Sequence, residues 1–219
     1  MFYIGIDYSI KSPAVTICDH KNSDITFLSF PRDKEINRDC EVSLTDANVQ
    51  IIKLNTVPNS PKKTSIAVTE RQSMFDAIYQ TSAIVENIRK TIGDNFINSY
   101  IGIEGFSFAS TSSRLAQISG YQWLLRYQLL EAGMNLDNFY IFAPTTVKVT
   151  AGKGNYKKEE MITAFLNTSN PFLTNNNFHQ TVVKHPESFQ NKKGAFLKPV
   201  DDIIDSYWIM QTLYKTVNI

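Results

Sequence analysis

Twice along this chain a short apolar run ends on a single carboxylate. "FYIGIDY" (residues 2–8) sets bulky β-formers around a glycine and reaches Asp7, and "SYIGIEGFSF" (99–108) repeats the pattern up to Glu104. Length and Ile, Tyr and Phe content mark both as buried strands. "PAVTICDH" (13–20) and "DITFLSF" (24–30) follow at hairpin spacing, so three neighbouring antiparallel strands are expected at the start of the chain. Over 31–69 charged and turn-forming residues dominate, which predicts an inserted meander with a strand at "NVQIIKL" (48–54). Helical spacing returns over 70–92 through Met74, Ile78, Ala83 or Ile84, Val85 and Ile88, and "GDN" closes it. A second helix is predicted over 112–132, ended by Gly133. A strand at "FYIFAP" (139–144) stops at Pro144, and a Gly/Lys loop leads into a helix over 157–166. Residues 167–198, rich in Asn, Lys and turn formers, predict a long loop before a last helix over 200–214.

This order predicts an α/β fold: a mixed five-stranded sheet flanked by helices. Right-handed crossovers place the strands of Glu104 and "FYIFAP" parallel to the first strand. No repeat and no second core is visible, so 1–219 reads as a single domain with insertions at about 31–69 and 167–198.

Composition narrows the setting. An apolar content of 42% supports a sizeable core, while a net charge of +1 selects no partner, so any nucleic-acid footprint must come from local clusters. Cys18 and Cys40 form no CxxC and no metal spacing, which fits a reducing compartment. The first residues lack the basic start of a signal peptide, and no run approaches the roughly 20 apolar residues of a membrane span. A cytoplasmic protein with no membrane partner is expected.

The candidate chemistry lies in acids that sit where apolar residues belong. "PVDDIIDSYW" places Asp201, Asp202 and Asp205 among Val200, Ile203, Ile204, Tyr207 and Trp208. Buried acid costs free energy unless it is compensated. Asp202 and Asp205, three apart, share a helix face, and Asp201 with Asp205 is an alternative pair at i, i+4. Asp201 and Asp202 near a helix start also suit capping and the dipole, which leaves Asp205 unexplained. If the first and fourth long strands are parallel neighbours, Asp7 and Glu104 emerge at one sheet edge, where α/β folds bind ligands. Carboxylates gathered there repel, and a divalent cation resolves the conflict. Oxygen-only donors suit Mg²⁺. Two such ions about 4 Å apart activate a water and stabilise a leaving oxygen in phosphodiester hydrolysis.

On these residues the chain resembles the RuvC family of Holliday-junction resolvases, within the RNase H-like fold. That family carries an Asp on its first strand, a Glu on its fourth and a D-x-x-D pair on its last helix, matched in order by Asp7, Glu104, Asp202 and Asp205. The two intervening residues favour Asp202 over Asp201 as the first of the pair. "RLAQISGYQWLL" is similar to the helix after the family's Glu, with Gly120 expected to allow close helix packing. "APTTVKVTAGKGNYKKEEM" resembles the segment after the fifth strand, through Lys148, Gly152, Gly154 and Lys158, with Lys157 a competitor for the last. The resemblance covers nearly the whole chain apart from 31–69 and 167–198. It implies metal ligation by Asp7, Glu104, Asp202 and Asp205, with two Mg²⁺ ions per site and Mn²⁺ as a substitute. Lys148 and Lys158 are then expected to hold the scissile phosphate or offset its charge. The implied substrate is four-way or other branched DNA, cut by a homodimer through paired nicks that leave 5′-phosphates, in recombination and repair within a bacterial or phage-infected cell.

Supporting features are more local. Lys148, Lys153, Lys157 and Lys158 occur with no acid between them, and Lys184, Lys192, Lys193 and Lys198 form a second basic group. Such segments track phosphates in a salt-sensitive way, and the glycines of "AGKGNY" bring backbone N–H groups into reach. Phe106, with Phe108 behind it, is a candidate for stacking on bases. Leu125 and Leu129 are the expected dimer surface, and His179 and His185 are expected at the surface. Competing readings are a nuclease of the same fold acting on RNA or replication intermediates, a junction binder that does not cut, and an ATPase of the sugar-kinase class. The last normally needs a second lobe that this length does not accommodate.

Overall fold

Strand β1 (Phe2–Asp7), β2 (Ala14–Asp19) and β3 (Asp24–Ser29) form the expected antiparallel meander in the computed structural model, which describes residues 1–55, 66–105 and 112–218, with the backbone alone at 66 and 112–115. Helix α1 (Arg38–Asp46) and a two-residue strand, β4 (Gln50–Ile51), follow. Helix α2 (Ile66–Ile92) leads to β5 (Tyr100–Glu104), α3 (Ser112–Glu131), β6 (Phe139–Phe142), α4 (Pro144–Ala151) and α5 (Lys158–Leu166). Short helices α6 (Pro171–Thr174) and α7 (Asn177–Lys184) precede the terminal helix α8 (Val200–Val217). The sheet order is β4-β3-β2-β1-β5-β6, with β5 parallel to β1, β6 parallel to β5 and β4 parallel to β3. It therefore has six strands rather than five, because the "NVQIIKL" segment pairs at the edge through β4.

Four helices lie where irregular chain was expected. In 31–69, Asn37 accepts a hydrogen bond from the Asp39 N–H and starts α1, which buries Cys40 and Leu44. Pro144 stops β6 and opens α4, because a proline at the first helical position lacks only a donor that would be unpaired anyway. In 167–198, Asn170 and Asn176 accept from the N–H groups of Phe172 and Phe178 and so cap α6 and α7. Two of the asparagines that imply a loop by composition are thus helix N-caps. His179 is a further correction: it is buried on α7, its Nε2 lies 3.1 Å from the Phe165 carbonyl oxygen, and burial lowers its pKa. His185 is exposed, as expected, 3.4 Å from Glu187.

The sheet is covered on both faces. Ile4, Ile6, Ile101 and Ile103 pack with Ile84, Ile88, Leu125 and Leu129 of α2 and α3. On the opposite face Tyr3 joins Ile204, Tyr207 and Met210 of α8, backed by Phe165 and Phe178. Leu125 and Leu129 are thus core residues, not a free surface, and α3 exposes Trp123 and Tyr127 instead. Gly120 is also exposed, and a Cβ there would meet nothing within 4 Å, so no close helix packing depends on it. Cys18 and Cys40 are free, buried thiols, pushed up by burial to about 12 and about 11 respectively. Among the described residues no helix is long and apolar enough to cross a membrane.

The glycines of "GID" and "GIE" set the distance between sheet and α8. Strand alternation puts Tyr3, Gly5 and Asp7 on one face of β1, and Gly5 pairs with Gly102 across the parallel ladder. A Cβ on Gly5 would lie 2.3 Å from both the Met210 nitrogen and the Ser206 oxygen, and one on Gly102 would lie 2.9 Å from the Phe142 ring. Helix α8 therefore rests on bare backbone. Gly5→Ala is expected to cost at least about 3 kcal/mol, because the obstructing atoms are main-chain and cannot rotate away. A thermal melt tests this, and a variant that melts with the wild type would show that α8 is free to shift.

Candidate metal centre

Helix α8 brings its acids to the sheet edge by register. Ser206 packs over Gly5 and shares a 2.7 Å hydrogen bond with Thr16 of β2. Asp202 lies one turn earlier, so the helix carries it past the end of β1, where Asp7 emerges. One carboxylate oxygen each from Asp7, Asp202 and Asp205 lies within 4.8 Å of the others. Glu104 ends the neighbouring strand, one step beyond the Ile6–Ile103 pair that precedes Asp7. It is not in the close triad, yet its charge acts on Asp7 and feels Asp205.

The site is strained electrostatically. Burial, then Asp202, Asp205 and Glu104, holds the Asp7 carboxyl well above the usual carboxylate range. Glu104 is pushed up to about 7, first by burial and then by Asp205. Asp205 is raised to about 6 by burial, with Asp202 and Asp201 adding and Lys158 opposing. Asp202 is raised as well, by burial and by Asp201. Among the described residues no cationic side chain forms an ion pair with Asp7.

The flanking acid is engaged differently. Asp201 accepts from the Asp202 backbone N–H at 2.9 Å and pairs with Lys158 Nζ at 2.6 Å. Its carboxylate is thus held at the helix start, and Asp202 is the member of the pair that turns toward Asp7. Lys158 also lies 3.4 Å from Asp205. Burial lowers its pKa, but Asp205 and Asp201 outweigh that and leave the ammonium more firmly protonated.

The other basic residues are placed unevenly. Lys148 is partly exposed on α4 and close enough to lower the Glu104 pKa. Lys153 and Lys157 are exposed between α4 and α5. The Gly152 N–H already bonds the Lys148 carbonyl, so it is not free for a phosphate. Phe106 and Phe108 lie outside the described residues.

Two further side chains contact Asp202. Ser12, fully buried in the β1–β2 turn, donates its hydroxyl to Asp202 Oδ2, and Lys198 Nζ contacts Oδ1 at 2.6 Å and Oδ2 at 2.8 Å. The turn is fixed by the Ser12 N–H donating to Ser9 Oγ and by Gln80 donating to the Ser9 carbonyl. Lys198 stands four residues before Asp202, a spacing the sequence displays, whereas nothing in it marks Ser12.

The donor set fits a hard divalent cation: all-oxygen, without His or Cys, with Asp7 half-buried and no ion-pair partner for it among the described residues. The sheet order and the helices on both faces give the chain an RNase H-like α/β fold, with the acids at the carboxyl edge of β1 and β5. Nearly the whole chain superposes on the structure of Thermus thermophilus RuvC, at a TM-score of 0.50 and 14% identity, covering 99% of this chain and 96% of that one. A structure of T. thermophilus RuvC in complex with a Holliday junction substrate aligns at a TM-score of 0.50 and 12% identity, covering 100% and 97%. At such identities the likeness concerns the fold. No protein-family model matches the sequence, and no curated protein matches it either.

Proposed function

We propose that this chain is a divalent-metal-dependent endonuclease that resolves four-way and related branched DNA by paired, symmetric nicks. The observation that carries the reading is the convergence of Asp7, Asp202 and Asp205 within 4.8 Å, beside Glu104. Support comes from the shared fold with a protein whose structure is known in complex with a Holliday junction. Asp7 would be the ligand common to two Mg²⁺ ions, Glu104 would complete one site, and Asp202 with Asp205 the other. When bound, the ions supply activation of the attacking water and stabilisation of the leaving oxygen, with Mn²⁺ as a substitute.

The chain's own residues supply position and charge. Lys158 and Lys148 face the acids and balance negative charge that grows on the phosphoryl oxygens. Lys153 and Lys157, exposed beyond them, attract the neighbouring backbone phosphates, and Phe106 stacks on an unpaired base. Water adds to phosphorus, the P–O3′ bond breaks, and the products carry a 5′-phosphate and a 3′-hydroxyl. Symmetric nicking needs two copies. Met74, Phe75, Ile78 and Tyr79 on α2, with Trp123 and Tyr127 on α3, form exposed apolar faces suited to a homodimer. Buried free thiols fit a reducing cytoplasm, bacterial or phage-infected.

A supercoiled plasmid carrying a cruciform tests both parts. Mg²⁺ is expected to yield linear product through coupled nicks at the junction, and EDTA to stop it. Relaxed circles alone would remove the paired-nick reading. No metal-dependent cutting of junction, flap or RNA–DNA hybrid would leave only a binding protein.

A further inference from the structure

Asp202 is nearly sealed off, with 3% of its side chain exposed, yet both of its carboxylate oxygens already have partners without a metal. A carboxylate offers about four lone-pair sites. Ser12 fills one on Oδ2, and the Lys198 ammonium contacts both oxygens. Lys198 is delivered by a fixed backbone rather than by a free tail. The Leu197 N–H bonds the Phe189 carbonyl at 2.8 Å, the Val200 N–H bonds the Leu197 carbonyl at 2.9 Å, and Gln190 bridges to Phe196. Lys158 is different, because its shortest contact is to Asp201, outside the triad.

We propose that Lys198 is a resident counter-ion, which neutralises Asp202 while the site holds no metal and withdraws when a divalent cation enters. The inference rests on the metal reading above and adds a residue to it. An ammonium 2.6 Å from a ligand oxygen repels a cation arriving at the same carboxylate, so one must yield. Ser12 is uncharged and stays, keeping Asp202 turned toward Asp7 through the exchange. Lys198 has room to leave: 40% of its side chain is already exposed, and its four-carbon stem swings the charge into water. Metal-free protein is thereby spared the repulsion among Asp202, Asp201 and Asp7, at the cost of weaker metal binding.

Lys198→Gln separates this from a purely structural contact. Calorimetric titration with Mn²⁺ is expected to show roughly tenfold tighter binding than wild type, since a competing charge is gone. Thermal melts are expected to show a lower midpoint in EDTA and a larger rise on adding Mn²⁺, while Lys198→Arg, which keeps the charge, stays near wild type. Unchanged affinity, with midpoints lowered equally with and without metal, would overturn the proposal. A wild-type measurement covers a variant that fails to fold: saturating Mg²⁺ should raise several-fold the acylation rate of Lys198, read by mass spectrometry, and an unchanged rate counts against withdrawal. Wild type that binds no Mn²⁺ at all would instead bring down the metal reading itself.

Discussion

Asp7→Asn is expected to abolish cleavage and, in EDTA at pH 8, to make the protein more stable than wild type. The first effect follows from Asp7 being the acid shared by both proposed metal sites, and a loss of roughly 10³-fold or more corresponds to about 4 kcal/mol of lost transition-state stabilisation. The second follows from its surroundings. Burial raises the Asp7 carboxyl most, and three other acids raise it further. A carboxyl whose folded pKa exceeds its unfolded value does no harm at low pH, where both states are protonated. As pH rises through the interval between the two values, the unfolded chain releases its proton first and stability falls. For Glu104 that interval runs from 4.5 to about 7, and for Asp205 from 3.8 to about 6. At pH 8 the penalty is complete, at pH 4 it is largely absent, and Asn at position 7 removes one charge from the group.

A gain of about 2 kcal/mol is expected at pH 8 and little at pH 4, readable as a rise of roughly 4–8 °C in the melting midpoint. Added Mg²⁺ should stabilise wild type and leave Asp7→Asn nearly unmoved. Junction binding in EDTA, followed by fluorescence anisotropy, should persist. A variant less stable than wild type at both pH values would make Asp7 a structural acid.

The strands and the order of the acids were legible because each depends on local pattern. "GID" and "GIE" announce a strand and a carboxylate within three residues, and the parallel register aligns them, whereas the close approach of α8 to Gly5 shows only in the fold. Spacing alone leaves Asp201 and Asp202 both open as the partner of Asp205, and the preference for Asp202 rests on the family resemblance; the fold shows that Asp201 is occupied elsewhere, because Lys158 reaches it from α5. What the sequence does not display depends on partners distant along the chain. Leu125 and Leu129 have the same apolar character as an interface pair, and nothing local distinguishes the side of α3 that meets β1 and β5 from the side that meets solvent. His179 looks polar in a polar stretch, but the Phe165 carbonyl satisfies its ring nitrogen and lets it be buried. Ser12 is one hydroxyl in a turn, given meaning by a carboxylate 190 positions away.

Lys158→Met should move stability in the opposite direction to Asp7→Asn while also slowing cleavage. In the metal-free protein Lys158 is the cation between Asp201 and Asp205, at 2.6 and 3.4 Å. Its removal leaves Asp205 among like charges, so the Asp205 carboxyl climbs beyond about 6 and the folded state loses stability above that pH. With 42% of the lysine side chain exposed, solvent screening limits the loss to about 1 kcal/mol. In the proposed reaction the same ammonium would face a phosphoryl group whose oxygens gain negative charge, and losing such a contact costs roughly 10²-fold in rate. The rise of cleavage rate with pH should also shift upward, because carboxylates deprived of the ammonium ionise later. If Lys158 contacts a phosphate, the salt dependence of junction binding should flatten by about one charge. A variant that cuts at the wild-type rate with an unmoved pH profile would confine Lys158 to holding Asp201 at the start of α8, and the charge facing the scissile phosphate would then have to come from Lys148.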